Sequence, residues 1–278
     1  MITSPMQPWL ITLEAYRELC TVNFQTPAQE GNSVDAKQPS YELRDGLATV
    51  RIHGTMLRQV SPRQKAISAI CGVRLCSMEE TASALQQAAA DPAVHTILLD
   101  IDSPGGTVNG TPELAQVVRT IAKDKHVYAF TAGQCCSAAY WVTSQADVIY
   151  AAPSATVGSI GVILPVVDSS ALYDRCGLKM EVFSAGKYKS TGMDGTSLTE
   201  EQRDRLTQQV NATWARFKQA VTRRRSISEA DMEGQTFYGS DAREHHLVDA
   251  CAFSLGAIQG KLIERHQALL LPRCCYTK

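Results

Sequence analysis

Apolar positions along the chain follow two rhythms that take turns. Val94–Ile101 is an almost unbroken apolar run of strand length, the pattern of a parallel strand covered on both faces. Leu114, Val117, Val118 and Ile121 then recur at i, i+3, i+4 and i+7, one face of a helix that starts at Thr111-Pro112. The succession continues with strand 126–131, helix 137–146, strand 148–151, strand 161–167, a short helix and strand 180–184. Upstream, 46–54 reads as a strand, and 58–76 has no clear period, so it is a surface excursion or a flexible flap. Ser77-Met78-Glu79-Glu80 and Thr199-Glu200-Glu201-Gln202 are capping boxes. The first opens an Ala/Leu-rich helix, the second a long helix carrying Leu206, Val210, Trp214, Phe217 and Val221 on one stripe. The pattern closes with strand 235–238, helix 240–246 and an amphipathic helix over 254–268. Strands alternating with helices predict an α/β fold with a mostly parallel sheet and crossover connections.

Composition narrows the field. The chain has 278 residues, 44% hydrophobic and 20% charged, which suits a large globular domain with appendages. A net charge of −1 gives no electrostatic case for nucleic acid or an anionic membrane surface. Arg223-Arg224-Arg225 reads as the solvated end of a helix. No apolar stretch is long enough to span a bilayer. The N-terminal segment carries Glu14 and Glu18 where a signal peptide needs apolar residues, and reads as a helix from Thr12, followed by a Gly/Pro/Ser-rich linker over 25–40. A cytoplasmic protein without a membrane anchor is expected. The nine cysteines include the adjacent pairs Cys135-Cys136 and Cys274-Cys275 and show no zinc-ligand spacing. Reduced, mostly buried thiols are expected, with no metal and no cofactor.

The candidate chemistry gathers around Ser137. It follows a strand and a small-residue turn, Gly133-Gln134-Cys135-Cys136, and opens an apolar helical segment. An isolated serine there is simply an N-cap. It is also a place where backbone N–H groups can stabilise an oxyanion. Gly105-Gly106 lies one strand–helix unit earlier, after a buried strand, where glycines permit close backbone approach. A serine nucleophile needs a base. Of the six histidines, none lies between Ser137 and His245, and none has a sequence context that supports a Ser-His pair. Lys187 and Lys189, in Ser184-Ala185-Gly186-Lys187-Tyr188-Lys189-Ser190, offer the other route, since a desolvated lysine can act as a base. Their period-two spacing puts both on one strand face and does not choose between them.

Four ordered motifs, DIDSPGG (100–106), CCSAAYW (135–141), AD-x-I-x-A-x-P-x-A-x-x-GSIGV (146–162) and SAGKYKSTG (184–192), resemble the signal peptide peptidase A family of Ser-Lys proteases. The phage prohead (capsid maturation) branch is the nearer likeness, also through PWLI-TLEAYREL at the N-terminus. The resemblance covers about residues 45–250. It implies a Clp-protease/crotonase-like fold of repeated ββα units. It implies Ser137 as nucleophile and Lys189, 52 positions later, as general base. It also implies Ser159 as the residue orienting that lysine, and the N–H groups of Gly106 and Ala138 as the oxyanion hole. The chain then divides into an N-terminal helix and linker (1–44), a peptidase domain (45–253) and a C-terminal helix and tail (254–278). Three departures stand out. Cys135-Cys136 precede the serine, leaving Cys136 as a conceivable nucleophile beside the reading of small buried thiols. His246 replaces a glycine in FYGSDAREHHLVD. The N-terminal membrane segment of the anchored peptidases is missing.

The function expected from this reading is a serine endopeptidase acting through an acyl-enzyme on polypeptide substrates, capsid or scaffold proteins of a phage or prophage. Its place would be the host cytoplasm if phage-encoded. The alternatives are a cytosolic peptidase that clears signal-peptide fragments, a crotonase-like acyl-CoA enzyme and a non-catalytic assembly protein. A homo-oligomer is expected, both from the family and because the helices bearing Trp214 and Phe217, and Leu262 and Ile263, offer more apolar surface than one core needs. Lys189 is expected buried beside Ser137 and held by Ser159, and Lys187 is expected to be an ordinary charged lysine.

Overall fold

The computed structural model describes residues 8–12, 15 and 41–270. The linker over 25–40, the helix expected from Thr12 beyond Ala15, and Cys274-Cys275 lie outside the described residues. The described chain opens with a strand that the sequence pattern did not announce, β1 (Trp9–Ile11). It continues through β2 (Glu42–Arg44), β3 (Leu47–His53), β4 (Thr55–Leu57), α1 (Pro62–Cys71), β5 (Leu75–Ser77) and α2 (Met78–Ala90). Next come β6 (Thr96–Ser103), β7 (Gly105–Thr107), α3 (Thr111–Ile121), β8 (His126–Cys136), α4 (Ala138–Thr143), β9 (Val148–Ala151) and β10 (Thr156–Gly158). The remainder is α5 (Ser170–Arg175), α6 (Glu200–Thr222), β11 (Thr236–Tyr238), α7 (Gly239–Ala242), β12 (Ala250–Cys251) and α8 (Leu255–Leu270).

The larger sheet runs β11-β10-β8-β6-β3-β2, with β9 on β8 and β12 on β9. Its inner pairs, β3–β6, β6–β8 and β8–β9, are parallel. The smaller sheet runs β1-β7-β4-β5. Two long strands of the large sheet hand over to a short strand of the small one, β3 to β4 and β6 to β7, before a helix returns the chain, whereas β8 passes through Ser137 directly into α4. The α/β class and the repeated strand–strand–helix unit are thus as expected.

The apolar run at 94–101 is continuous because both faces of β6 are covered. Ile97, Leu99 and Ile101 belong to the main core with α2, α3 and α4. Leu98, Tyr128 and Phe130 face a second cluster closed by Ile258, Leu262 and Ile263 of α8. Those three α8 residues are therefore buried in the protomer's own fold, and so is Phe217, which stacks on Trp141 at 4.7 Å. The Trp214 indole N–H donates to the carbonyls of Met232 (3.0 Å) and Ile160 (3.3 Å). The apolar surplus expected from these helices is used internally, so it carries no argument for an oligomer.

Other expectations need local correction. Segment 58–76 is not a flap: Ser61 and Gln64 form a capping box that opens α1, with Pro62 at its first position. Residues 161–167 and 180–184 form no strand of either sheet: β11 takes the edge beside β10, and of these residues only Ile163 forms a bridge, to Trp9. Arg225 is not solvated. Its guanidinium is buried, pairing with Asp249 at 2.7 Å and donating to the Ala146 carbonyl at 2.8 Å. His246 takes the left-handed conformation, φ 59°, which explains why a glycine suits that position.

One irregularity bears on the site. Ile101 faces Thr131, but Ser103 faces Cys135, so β8 uses four residues where β6 uses two. The Asp102 carboxylate accepts the Gln134 N–H at 3.2 Å inside this bulge and pairs with Arg74 at 2.6 Å. A side chain at Gly133 would begin 2.3 Å from that carboxylate and would have to displace it from the bulge, which favours the glycine.

Candidate active site

Ser137 stands between β8 and α4 with φ 53° and ψ −115°, a conformation that L-residues adopt only under constraint. Two backbone bonds hold it there. Its N–H donates to the Gly158 carbonyl at 2.8 Å, and its carbonyl accepts from the Trp141 N–H at 2.9 Å. Its side chain caps no helix N–H, so the N-cap role is not the one it plays. The hydroxyl instead points towards the Gly161 carbonyl at 3.5 Å, and the residue is buried.

The glycine pair meets the serine in space. Gly105 has φ 107°, and a side chain there would begin 3.0 Å from the Ser137 Cβ. Its N–H donates to the Ser103 hydroxyl at 3.2 Å. Gly106 is closed in from the other side, with the Met56 carbonyl oxygen 1.8 Å from the place of a Cβ. The pair is not a β-to-α turn. It forms β7, with β4 on one edge and β1 on the other.

β1 runs antiparallel to β7 with Leu10 opposite Gly106. The Thr12 N–H donates to the Pro104 carbonyl (3.0 Å), and the Val108 N–H to the Pro8 carbonyl (3.4 Å). Hydrogen-bonded pairs alternate along an antiparallel ladder, so Leu10 and Gly106 are such a pair between those two. The Gly106 N–H, one of the two oxyanion donors implied by the resemblance, is thereby turned to the Leu10 carbonyl. Ala138, the other, opens α4 and is buried. The apolar triplet Trp9-Leu10-Ile11 after Pro8 was the signal for this strand, but it merged with the helical pattern that follows it.

The proposed base stands apart. Lys189 is exposed in a turn-rich segment after α5, and among the described residues no hydrogen bond or ion pair joins its side chain to Ser137 or Ser159. The burial expected for it is not present in the single chain. Ser159 is half-buried, adopts φ 52° and donates its N–H to the Gln235 carbonyl at 2.7 Å. Lys187 meets expectation: it is exposed and pairs with Glu201 at 2.6 Å, a hydrogen bond that raises its pKa and keeps it charged. The histidines with ring contacts are occupied elsewhere. His53 pairs with Asp100 (2.9 Å) and His245 with Asp231 (3.1 Å), while His95 stacks on His266. Cys135 and Cys136 are buried, and burial pushes the Cys135 thiol up to about 12. Beside the glycines a cleft of about 500 Å³ opens between Thr12, Arg74, Asp102, Pro104, Gln134 and Thr156.

Comparison with known proteins gives a family. The model for Peptidase family S49 matches residues 119–265. The capsid assembly protease C of Escherichia phage lambda is 29% identical over 222 residues, covering 79% of this chain and 49% of the phage protein. The head-tail preconnector protein GP5 of Enterobacteria phage P21 is 27% identical over 220 residues, 77% of this chain and 42% of that protein. Protease 4 of Salmonella typhi is 29% identical over 179 residues, 62% of this chain and 28% of that protein. The chain spans about half the length, or less, of these curated relatives. Among solved structures, an enoyl-CoA hydratase/isomerase family member overlays with a TM-score of 0.42 at 16% identity, covering 83% of this chain and 75% of the other. Among the described residues, no helix is long and apolar enough to cross a membrane.

Proposed function

The chain belongs to Peptidase family S49, and from that premise we propose that it is a serine endopeptidase with Ser137 as nucleophile. The observation that carries this reading is the constrained Ser137 backbone set directly against Gly105. A serine fixed at a strand-to-helix turn beside a glycine strand suits attack on a carbonyl whose oxygen is received by the Gly106 and Ala138 N–H groups. The hydroxyl adds to the peptide carbonyl, the amine half departs with a proton, and water releases the acyl group.

Lys189 is the proposed base and Ser159 its positioning partner. Ser159 follows the Gly158 whose carbonyl holds the Ser137 N–H, but Lys189 does not meet Ser137 within one chain, so the reading includes a homo-oligomer in which the segment after β10 is seated by a neighbouring copy. That segment is the right kind of surface: Phe183 is 94% exposed, Val167 77% and Leu172 60%. Large exposed apolar residues grouped along one stretch mark an interaction surface. Capsid or scaffold polypeptides are the proposed substrates, drawn from the two phage relatives.

The test is a fluorophosphonate probe followed by peptide mapping. Labelling on Ser137 supports the reading. A folded, oligomeric sample that never labels would overturn it, in favour of a protein that keeps the fold for assembly alone.

A further inference from the structure

We propose that residues 8–12 fill the groove in which a substrate polypeptide lies, so that the chain carries its own displaceable plug. The inference rests on the reading of Ser137 as the reacting serine for its regulatory meaning, while the groove itself follows from backbone geometry. β1 is bonded on both edges. The Trp9 N–H donates to the Ile163 carbonyl (2.8 Å) and the Trp9 carbonyl accepts from the Ile163 N–H (3.0 Å). On the other edge Thr12 and Val108 close the ladder to β7 around the Leu10–Gly106 pair. A segment held by main-chain bonds on both sides, between two short edges, occupies a seat that recognises extended backbone rather than a particular sequence.

What lies at the centre of that seat is the reacting site. The point where a Gly105 side chain would begin is 2.1 Å from the Leu10 carbonyl oxygen, 3.0 Å from its carbonyl carbon and 3.0 Å from the Ser137 Cβ. The Leu10 carbonyl and Ser137 thus close on the same glycine from two sides, and the register turns the Leu10 oxygen to the Gly106 N–H, the proposed oxyanion donor. Side chains on the two faces of β1 are also seated: Leu10 is 0% exposed in the main core, while Trp9 and Ile11 pack with Leu57 and Val60. Ser137 is left 1% exposed beneath them. A nucleophile so covered cannot meet a second polypeptide until the strand moves. The occupant's chemistry then gives that of the ligand: an extended polypeptide with a leucine-sized apolar residue at the reacting carbonyl and large apolar neighbours.

Two readouts test this in the full chain. Leu10→Pro removes an N–H and disfavours the strand, and Trp9→Ala removes its anchor. Circular dichroism and a thermal melt report folding. A fluorescent pentapeptide of residues 8–12, PWLIT, is then titrated against each protein by anisotropy, and fluorophosphonate labelling of Ser137 is timed. The expected result is saturable peptide binding to the folded variant, at least tenfold tighter than to the unmodified chain, with labelling at least tenfold faster and slowed by added peptide. Equal binding to variant and unmodified chain, or to neither, overturns the plug. So does failure of both variants to fold, which would make β1 an indispensable part of the core. If the variant binds peptide but Ser137 stays unlabelled, the groove stands and the serine mechanism falls.

Discussion

A side chain at Gly105 would begin 3.0 Å from the Cβ of Ser137, so the glycine strand and the serine turn are fitted to each other with no room for a methyl group. Gly106 is tighter still, at 1.8 Å from the Met56 carbonyl oxygen. Gly106→Ala should therefore push β4 away and cost about 1–3 kcal/mol, as overpacking of a filled core does. Peptidase activity should fall to background even where the fold survives. A denaturant midpoint and a peptide assay on the same sample check both parts, and a variant with native midpoint and native turnover would contradict this packing.

Ser137 holds an unfavourable backbone conformation, φ 53° and ψ −115°, and its side chain caps nothing. Ser137→Gly should abolish activity and raise stability by about 1–2 kcal/mol, since glycine adopts this region freely and such strain is of that order. Ser137→Ala should be equally inactive but gain nothing in stability. Paired urea titrations of the two variants read the difference.

The two lysines should separate sharply. Lys187 is tied to Glu201 and held charged by that bond, so Lys187→Ala should leave most of the activity. Lys189→Ala should remove it, without changing the melting temperature, because the side chain is exposed in the single chain. A lysine base works only after losing its proton, so turnover should climb as pH rises. Phe183→Glu should dissociate the oligomer and lower activity together, as read by sedimentation and a peptide assay. A monomer with full activity would defeat the shared-site reading.

Alkylation should spare the site. Cys71, Cys176 and Cys251 are exposed, whereas Cys135 and Cys136 are buried and burial raises the Cys135 pKa to about 12. Iodoacetamide on the native protein at about pH 8 should modify exposed thiols and leave activity intact. Because the Cys135 proton is retained in the folded state and lost more readily in the unfolded one, stability should decline once pH rises above the ordinary thiol range. Inactivation that maps to Cys136 would instead point to a cysteine nucleophile.

His246→Gly should stabilise the fold by about 1 kcal/mol, because relief of a β-carbon carried at φ 59° outweighs the exposed imidazole's weak attraction to Asp231. A thermal melt is sufficient, and an unchanged or lower melting temperature would show that the imidazole has a use of its own.

How much could be read beforehand depended on where each residue's surroundings come from. β6 was legible because both its faces are buried, which leaves an unbroken apolar run. α6 was legible because its capping box is written in four consecutive residues. Strands such as β4 and β7 are three residues long, too short to show a period. Their positions are set by partners far away in sequence. Ser137 and the glycine pair could be brought together from the pattern because each follows a strand of one parallel sheet, β8 and β6, and neighbouring strand ends are neighbours in space. Lys189 could not, since nothing local fixes the segment that carries it. β1 escaped because three apolar residues fit a helix stripe as well as a strand, and only the groove that receives them decides.

The bulge in β8 sets a limit of another kind. Between Thr131 and Cys135 the strand must gain two positions on its neighbour, and the Asp102 carboxylate holds that surplus in place. Amino acids there can be exchanged within the space available, but their number cannot change. Removing one residue would turn Cys135, Cys136 and the serine behind them to the opposite side of the sheet. Drift among descendants of this chain should therefore show substitutions at 132 and 134, a glycine kept at 133 and no insertion or deletion, so that a length change in this span marks a copy whose serine has been released from its task.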